Sequence, residues 1–286
     1  IGASADSSAD ALSVANPIAL SNAGYVHTGP TSNGFANVTL SGVVSGASLT
    51  KSGFGDLRLT NSANTFDGLT VNAGFVLFGN SIAASGASAL GDGAITINAG
   101  ASGNRYVGLL ASSANLSIAR DITILQSSDS NHLATIGTDV AGNFAVSGDI
   151  DIAGGYVNLM GSDSGVFILS GAVSGAGGLQ EPKLADPYEQ GLRLSGTNNY
   201  SGGTIIRVGT WAAASNTAFG SGTIWFEGNG ETTPIGSIVS FTSARTLANP
   251  IVFRANPLFN GGIALTLNGT VDLGSVLREI QVTNTA

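Results

Sequence analysis

The sequence predicts an all-β fold, a right-handed parallel β-helix (β-solenoid) that forms a single elongated rod. Three observations lead to this prediction. Short strand patterns recur along the whole chain, helical periodicity is almost absent, and one long phrase is written twice. An ordered series of repeated landmarks is typical of an array in which one supersecondary unit stacks on the next.

The strand patterns are short alternations of apolar and polar residues, each bounded by Gly, Asn, Ser or Asp. Alternation with a period of two predicts half-buried strands, and the bounding residues predict turns. The spacing also suits a β-sandwich, but a sandwich has no reason to repeat internal phrases, whereas each solenoid coil meets only its neighbours. The clearest patterns lie at residues 37–40, 56–59, 94–97, 149–152, 191–194 and 264–267.

The repeated phrase occupies residues 42–100 and again 171–228, with the landmarks V-S-G, L-R-L, N-x-[FY] and A-[LF]-G-x-G-x-I in the same order. A shorter phrase, A-N-P-I, stands at 15–18 and 248–251, and loosely at 119–122. We therefore predict one solenoid over 1–286, with repeat units of approximately 15–118, 119–247 and an incomplete 248–286. Coils of the usual ~20–25 residues would give roughly a dozen of them.

Parallel stacking predicts ladders of inward Leu, Ile and Val along the axis, while Gly and Asn at the corners supply positive φ. Six aromatic residues are expected as bulky members of these ladders: Phe54, Phe66, Phe75, Phe78, Tyr200 and Trp211.

The composition excludes several classes of protein. The 286 residues include 42 Gly and no Cys, only 10% are charged, and the net charge is −8. Low charge and high apolar content argue against disorder, and the acidity argues against nucleic acid and anionic membranes as partners. The sequence contains no run of ~18 apolar residues, so no membrane-spanning helix is predicted. The first residues lack the pattern of a signal peptide, which fits a mature or excised segment.

The two long phrases resemble the autotransporter-associated β-strand repeat, also called the passenger-associated transport repeat. The pattern V-S-G-x-G-x-L-x-K-x-G-x-G-x-L-x-L-S-G-x-N-x-Y-x-G-x-T-x-V-x-x-G-x-L lacks its second Gly in the first copy and is interrupted in the second. The resemblance implies a secreted, right-handed β-solenoid at a bacterial cell surface, and it brings no catalytic residues. The matching residues include Val44, Lys51, Gly53, Leu57, Leu59, Asn64, Phe66 and Gly74, then Val173, Leu179, Leu192, Leu194, Asn198, Tyr200 and Gly209.

Residues with catalytic or metal-binding chemistry are few and scattered. Asp149 and Asp151 point to one strand face, as a glycosidase pair would, but Asp-x-Asp is also an ordinary solvated strand. His27 and His132 have no partner at metal-ligand spacing, and a single carboxylate at Asp92 makes a poor calcium site. We predict no catalytic, cofactor-binding or metal-binding residue. If exposed, five aromatic residues would suit sugar stacking, although ladder roles are commoner: Tyr25, Tyr106, Tyr156, Tyr188 and Trp225.

Residues 180–190 interrupt the second copy of the phrase, where two Pro and several charges are concentrated. We define this segment as the interaction loop and expect it to lie between two strands at the surface. Its candidate contact residues are Glu181, Lys183, Asp186, Tyr188 and Glu189.

Neither end of the chain shows a polar cap, although open solenoid ends expose unpaired backbone groups. We expect end-to-end contacts through Leu277, Ile280 and Val282, with the partner being another copy or neighbouring repeats of a longer chain. Together with the resemblance, the sequence predicts a structural, extracellular stalk, surface layer or fibre of a bacterial cell, without enzymatic activity. Surface glycans or a host surface are further candidate partners. The alternative is a carbohydrate-binding or carbohydrate-cleaving β-helix that uses Asp149, Asp151 and the loop around Tyr188.

Overall fold

The structure, a computed structural model, describes residues 2–3, 11–31, 34–100, 106–125, 133–138, 140–162, 165–181, 191–227 and 236–284. Within these ranges every regular element is a β-strand. Most coils place one strand on each of three faces, in a fixed cyclic order. Within these same ranges no named strand lies on the first face between Phe78 and Ala94, or on the second face between Leu194 and Thr204 and between Ala213 and Ile224. All strand pairs are parallel, except one small antiparallel hairpin of β5 (Pro30–Thr31) and β6 (Gly34–Phe35).

The third face is one continuous sheet of twelve strands, which agrees with the predicted dozen coils. In spatial order it contains β2 (Ala11–Val14), β7 (Asn37–Leu40), β10 (Leu57–Leu59), β13 (Gly74–Phe78), β15 (Tyr106–Ala111), β18 (Leu133–Thr138), β21 (Tyr156–Met160), β24 (Gly178–Gln180), β26 (Thr204–Ile206), β28 (Ile224–Phe226), β31 (Ile251–Phe253) and β34 (Val271–Asp272).

The second face follows the first along the chain and is built by two sheets. The larger contains β1 (Gly2–Ala3), β4 (Gly24–Thr28), β9 (Leu49–Gly53), β12 (Gly68–Val71), β14 (Ala94–Asn98), β17 (Ile122–Leu125), β20 (Ile150–Ile152) and β23 (Val173–Gly175). The smaller, near the carboxyl end, contains β30 (Arg245–Leu247) and β33 (Leu265–Leu267).

The first face also has two sheets. The amino-terminal one contains β3 (Ile18–Leu20), β8 (Val44–Gly46) and β11 (Thr65–Phe66). The other contains β16 (Leu116–Ile118), β19 (Phe144–Val146), β22 (Val166–Leu169), β25 (Gly191–Leu194), β27 (Gly209–Ala213), β29 (Gly236–Ser240), β32 (Leu258–Gly261) and β35 (Gln281–Asn284). This arrangement confirms the predicted parallel β-helix.

The core is a set of vertical ladders, one or more for each face. Because side chains alternate across a strand, stacking in register brings the same inward position of each coil into contact. The third face, for example, aligns six fully buried residues: Val38, Leu57, Val76, Leu109, Ile136 and Leu159.

Four of the six predicted aromatic ladder members are fully buried: Phe66, Phe78, Tyr200 and Trp211. The prediction was wrong for Phe54 and Phe75. Phe54 is 43% exposed because it lies in the bend between β9 and β10. Phe75 is half-buried and points outward, since its neighbour Val76 takes the inward position of β13.

The two copies of the long phrase occupy different faces of the solenoid. In the first copy V-S-G forms β8 on the first face and L-R-L forms β10 on the third. In the second copy V-S-G forms β23 on the second face, and L-R-L lies in β25 on the first. The second copy is therefore rotated by one face, because three similar faces accept the same short strands and corners.

Candidate functional site

The interior of the first copy contains a buried lysine. Lys51 on β9 is fully buried, and its Nζ donates to the carbonyl oxygens of Ser52 (3.1 Å), Gly53 (2.9 Å) and Ala73 (2.8 Å). Burial lowers the pKa of Lys51 from 10.5 to about 8, an effect that the nearby carboxylate of Asp56 partly offsets. The ammonium group thus satisfies carbonyls where the chain turns between coils.

The interior of the second copy contains a buried glutamate at the corresponding place. Glu181 accepts hydrogen bonds from Nε1 of Trp211 (2.6 Å) and from the backbone N–H groups of Val208 (2.8 Å) and Arg207 (3.1 Å). Burial raises the pKa of Glu181 from 4.5 to about 7, even though these three donors favour the carboxylate. The group is fully buried.

Glu181 was expected at the surface as part of the interaction loop, and the structure corrects this placement. It follows β24 at an inward position, where Trp211 and the next corner supply its hydrogen-bond donors. The other candidate residues of the loop lie outside the described residues, so their contact role stays a prediction: Lys183, Asp186, Tyr188 and Glu189.

Lys51 and Glu181 lie at equivalent corners of the two copies, and they bond the backbone there with opposite charge. Lys51 bonds the carbonyl oxygen of Ala73, and Glu181 bonds the N–H of Val208. The two bonded residues, Ala73 and Val208, each directly precede a glycine with positive φ, +65° at Gly74 and +68° at Gly209. The repeat therefore places a buried polar group at this position, and the second copy exchanges a donor for an acceptor.

These two buried groups predict an unusual dependence of stability on pH. Glu181 binds its proton more tightly in the folded chain, so stability should fall as pH rises from 4.5 to 7, by about 3 kcal/mol at ~1.4 kcal/mol per pKa unit. Lys51 binds its proton less tightly in the folded chain, so stability should rise as pH increases from 8 to 10.5. Urea unfolding followed by circular dichroism across this range measures both effects.

The substitution Glu181→Gln should remove the fall in stability between pH 4.5 and 7. The substitution Lys51→Met should remove the rise in stability between pH 8 and 10.5. The exposed Asp67 offers a control, since Asp67→Asn should leave both slopes in place. Identical slopes in the parent chain and the Glu181→Gln variant would contradict the assignment.

Buried asparagines of the N-x-[FY] landmark connect three successive coils. Asn64 accepts from the N–H of Val44 (2.8 Å) and donates to the carbonyl oxygen of Ala89 (3.0 Å). Asn198 makes the same two bonds in the second copy, at 2.9 and 2.7 Å. The asparagine was recognised in the sequence, but its partners lie about one coil away in each direction and were not predictable from it.

The A-N-P-I phrase also has a structural role. Asn249 is buried, and its amide donates to the carbonyl oxygens of Gly220 (3.2 Å) and Gly222 (2.8 Å) in the G-x-G corner below. In the looser copy of the phrase, Arg120 donates to the carbonyl oxygens of the corresponding glycines, Gly91 (2.6 Å) and Gly93 (3.3 Å). The loose sequence match therefore reflects an equivalent position.

The carboxylates of the enzyme alternative bond neighbouring coils. Oδ1 of Asp149 accepts from the N–H of Ala172 at 2.8 Å, and Oδ1 of Asp151 accepts from Oγ of Ser174 at 3.2 Å. Both acids are exposed, and Tyr188, their expected companion, lies outside the described residues.

Of the two histidines, His27 lies among the described residues. His27 is exposed, and its Nδ1 lies 3.1 Å from Oγ of Ser52, while His132 lies outside the described residues. In the part of the chain that the structure describes, no group of three or more His, Asp or Glu side chains is placed to hold a metal ion.

The carboxyl-terminal coils expose an apolar surface. Leu277 is 98% exposed, Val282 67% and Ile280 46%. Beside them an open groove of about 310 Å³ reaches the ends of the core ladders. Its lining residues include Ile238, Phe253, Phe259, Leu265, Ile280 and Val282.

The outer side of the third face carries a chain of polar side chains, which we call the polar ladder. Side-chain hydrogen bonds join Thr135 to Asn158 (3.4 Å), Asn158 to Gln180 (2.8 Å) and Gln180 to Arg207 (3.1 Å). Arg207 then pairs with Glu227 at 3.2 Å, and Glu227 pairs with Arg254. The ladder crosses six successive strands, from β18 to β31. Thr135, Asn158 and Gln180 are buried, and the exposed fraction of the side chain then rises to 58% at Arg254.

Two aromatic rings lie beside the polar ladder on the same outer side. Tyr156 is half-buried, crosses Gly178, and donates its hydroxyl hydrogen to the carbonyl oxygen of Gly202 at 2.9 Å. Trp225 is also half-buried, and its ring covers Gly203, where a Cβ atom would lie 2.3 Å from Cζ3. Burial raises the pKa of Tyr156, and the carboxylate of Glu227 adds to this effect.

Sequence reasoning missed the charged part of this surface. Arg207, Glu227 and Arg254 each directly follow a third-face strand, in the sequences I-I-R, W-F-E and V-F-R. This recurring apolar-apolar-charged pattern is a usable signal. The strand register that stacks the three residues was not available from the sequence.

Comparison with known proteins supports the predicted resemblance. The family model of the passenger-associated-transport-repeat matches residues 49–77 and 191–210. The chain therefore carries this repeat in both long phrases, and the second match begins directly after the interaction loop. The repeat is a structural passenger repeat and not a known enzyme family. No curated protein and no solved structure matches the chain.

Within the described ranges, no helix has the length and apolar character needed to cross a membrane.

Proposed function

We propose that this chain is a structural rod of an extracellular bacterial surface assembly: a stalk, a surface layer or a fibre. One observation carries the proposal. The passenger repeat is folded into stacked coils, and its buried polar residues bond the backbone of the same or neighbouring coils. Such side chains stabilise the stacking of one coil on the next, and they leave the lateral faces of the rod free to vary. A passenger repeat favours a location at the cell surface.

The apolar surface of the last coils supports an assembly role. Open solenoid ends associate by adding further strands, since this supplies backbone hydrogen bonds and continues the ladders. We propose that another solenoid coil covers Leu277, Ile280 and Val282, either from a second copy bound end to end or from a longer chain.

Negative-stain electron microscopy and sedimentation velocity of the purified chain test this proposal. We expect rods that lengthen with concentration, and we expect Leu277→Asp with Val282→Asp to abolish the lengthening. Leu125 is 43% exposed and remote in sequence, so Leu125→Asp should assemble like the parent chain. Compact particles would overturn the rod, and rods of one length at all concentrations would overturn end-to-end assembly.

A further inference from the structure

The outer side of the third face combines two aromatic rings with a cationic group, and nothing in the solenoid fold requires this combination. Tyr156 and Trp225 reach the backbone at adjacent residues, Gly202 and Gly203. Neither residue belongs to the core ladders, because both point outward from their strands. Together with Arg254 they form what we call the aromatic patch.

The glycines beneath the rings explain how the patch is built. Gly178 and Gly203 leave room for the rings to lie against the sheet; a Cβ atom at Gly178 would approach Cε1 of Tyr156 to 2.7 Å. The strand register then determines which residues flank Trp225 on the adjacent strands. Trp225 pairs with Ile205 and Val252, and Glu227 follows two residues later on the same side of the strand.

The charges of the patch favour an anionic group. The guanidinium groups of Arg207 and Arg254 both pair with the carboxylate of Glu227, in a chain of net charge −8. Arg207 is held by Gln180 and by the carbonyl oxygen of Glu181. Arg254 is the exposed member, at 58%. Guanidinium groups of this kind recognise carboxylates through paired hydrogen bonds.

We propose that the aromatic patch binds a carboxylated sugar residue of an extended polysaccharide. The aromatic rings would contact the apolar face of the sugar ring, and Arg254 would pair with its carboxylate. A polyphosphate carries more negative charge per unit of length than a chain of carboxylated sugars, so the net charge of −8 opposes its binding more strongly. This proposal is independent of whether the rods assemble end to end.

The fluorescence of the two tryptophans locates binding. Trp211 is fully buried and should resist quenching by acrylamide, whereas half-buried Trp225 should be quenched. Hexameric oligogalacturonate is a suitable probe because each unit carries one carboxylate. We expect this probe to protect Trp225 from acrylamide, and to do so less at higher salt.

Isothermal titration calorimetry with matched variants tests the chemistry. Arg254→Gln should weaken the binding of oligogalacturonate at least tenfold, and the fully methyl-esterified hexamer should bind the parent chain at least tenfold more weakly. Trp225→Leu should abolish binding, with circular dichroism confirming the fold. Arg58 is an exposed arginine on the outer side of the same face, so Arg58→Gln should stay within twofold of the parent chain.

Several results would overturn the proposal. Equal affinity for the ester would exclude recognition of the carboxylate, and equal binding of hexaglutamate would show that the patch selects acidic chains in general. An absence of Trp225 protection at saturating oligogalacturonate would exclude the site itself. None of these results would bear on the rod.

Discussion

Glu181→Lys is expected to lower the free energy of unfolding by about 4 kcal/mol at pH 8, within the range for breaking a buried charged pair. The carboxylate is surrounded by three N–H donors, from Trp211, Val208 and Arg207. A lysine ammonium at this position would face donors only, and the guanidinium of Arg207 donates to the adjacent carbonyl oxygen. Urea unfolding followed by circular dichroism measures the loss.

Two further substitutions separate charge from volume. Glu181→Gln keeps one acceptor and should be the mildest change, whereas Glu181→Met leaves three donors unsatisfied, at about 1–3 kcal/mol for an unmade hydrogen bond. Among the three variants the expected order of stability at pH 8 is Gln, Met, Lys. If Glu181→Lys were as stable as Glu181→Met, the described donor arrangement would be wrong.

Gly93→Ala is expected to destabilise the chain by about 3 kcal/mol, because overpacking forces backbone shifts. A Cβ atom at this position would lie 1.6 Å from the carbonyl oxygen of Asp67 in the preceding coil. The coils would have to separate, and Arg120 would lose part of its hold on the G-x-G corner. Chemical denaturation of the purified variant measures the change.

Gly262→Ala is the matched control for this substitution. A Cβ atom at Gly262 meets no heavy atom within 4 Å, so the change should stay within about 0.5 kcal/mol. Gly222 holds the corresponding place in the second copy, where a Cβ atom would lie 2.4 Å from N of Gly203. Gly222→Ala should therefore resemble Gly93→Ala. A loss at Gly93 no larger than at Gly262 would contradict the close approach of the coils.

The fold was predictable because its signals are local. Alternation within three to five residues identifies strands, turn residues separate them, and two copies of a phrase reveal stacking. The same local patterns failed to predict whether a given side chain points into the core or out to solvent. Phe75 and Glu181 were assigned to the wrong side of the chain, since one residue of shift exchanges inside and outside.

The candidate surface was much less predictable, because it depends on register between strands of different coils. Arg207, Glu227 and Arg254 are separated by 20 residues or more, yet they form one charged group. Tyr156 and Trp225 were noted as aromatic residues that would suit sugars if exposed. Only the stacking of their strands places them over neighbouring glycines.

The sequence by itself determined that the chain is a stacked array, which residue types turn its corners, and that the passenger repeat occurs twice. The tertiary structure decided which face each copy occupies, that Lys51 and Glu181 serve equivalent corners with opposite charge, and that the polar ladder crosses six strands. The physical reason is that strand and turn preferences act over a few residues. Inter-coil hydrogen bonds join residues roughly one coil apart, and their partners follow from the length of every corner between them.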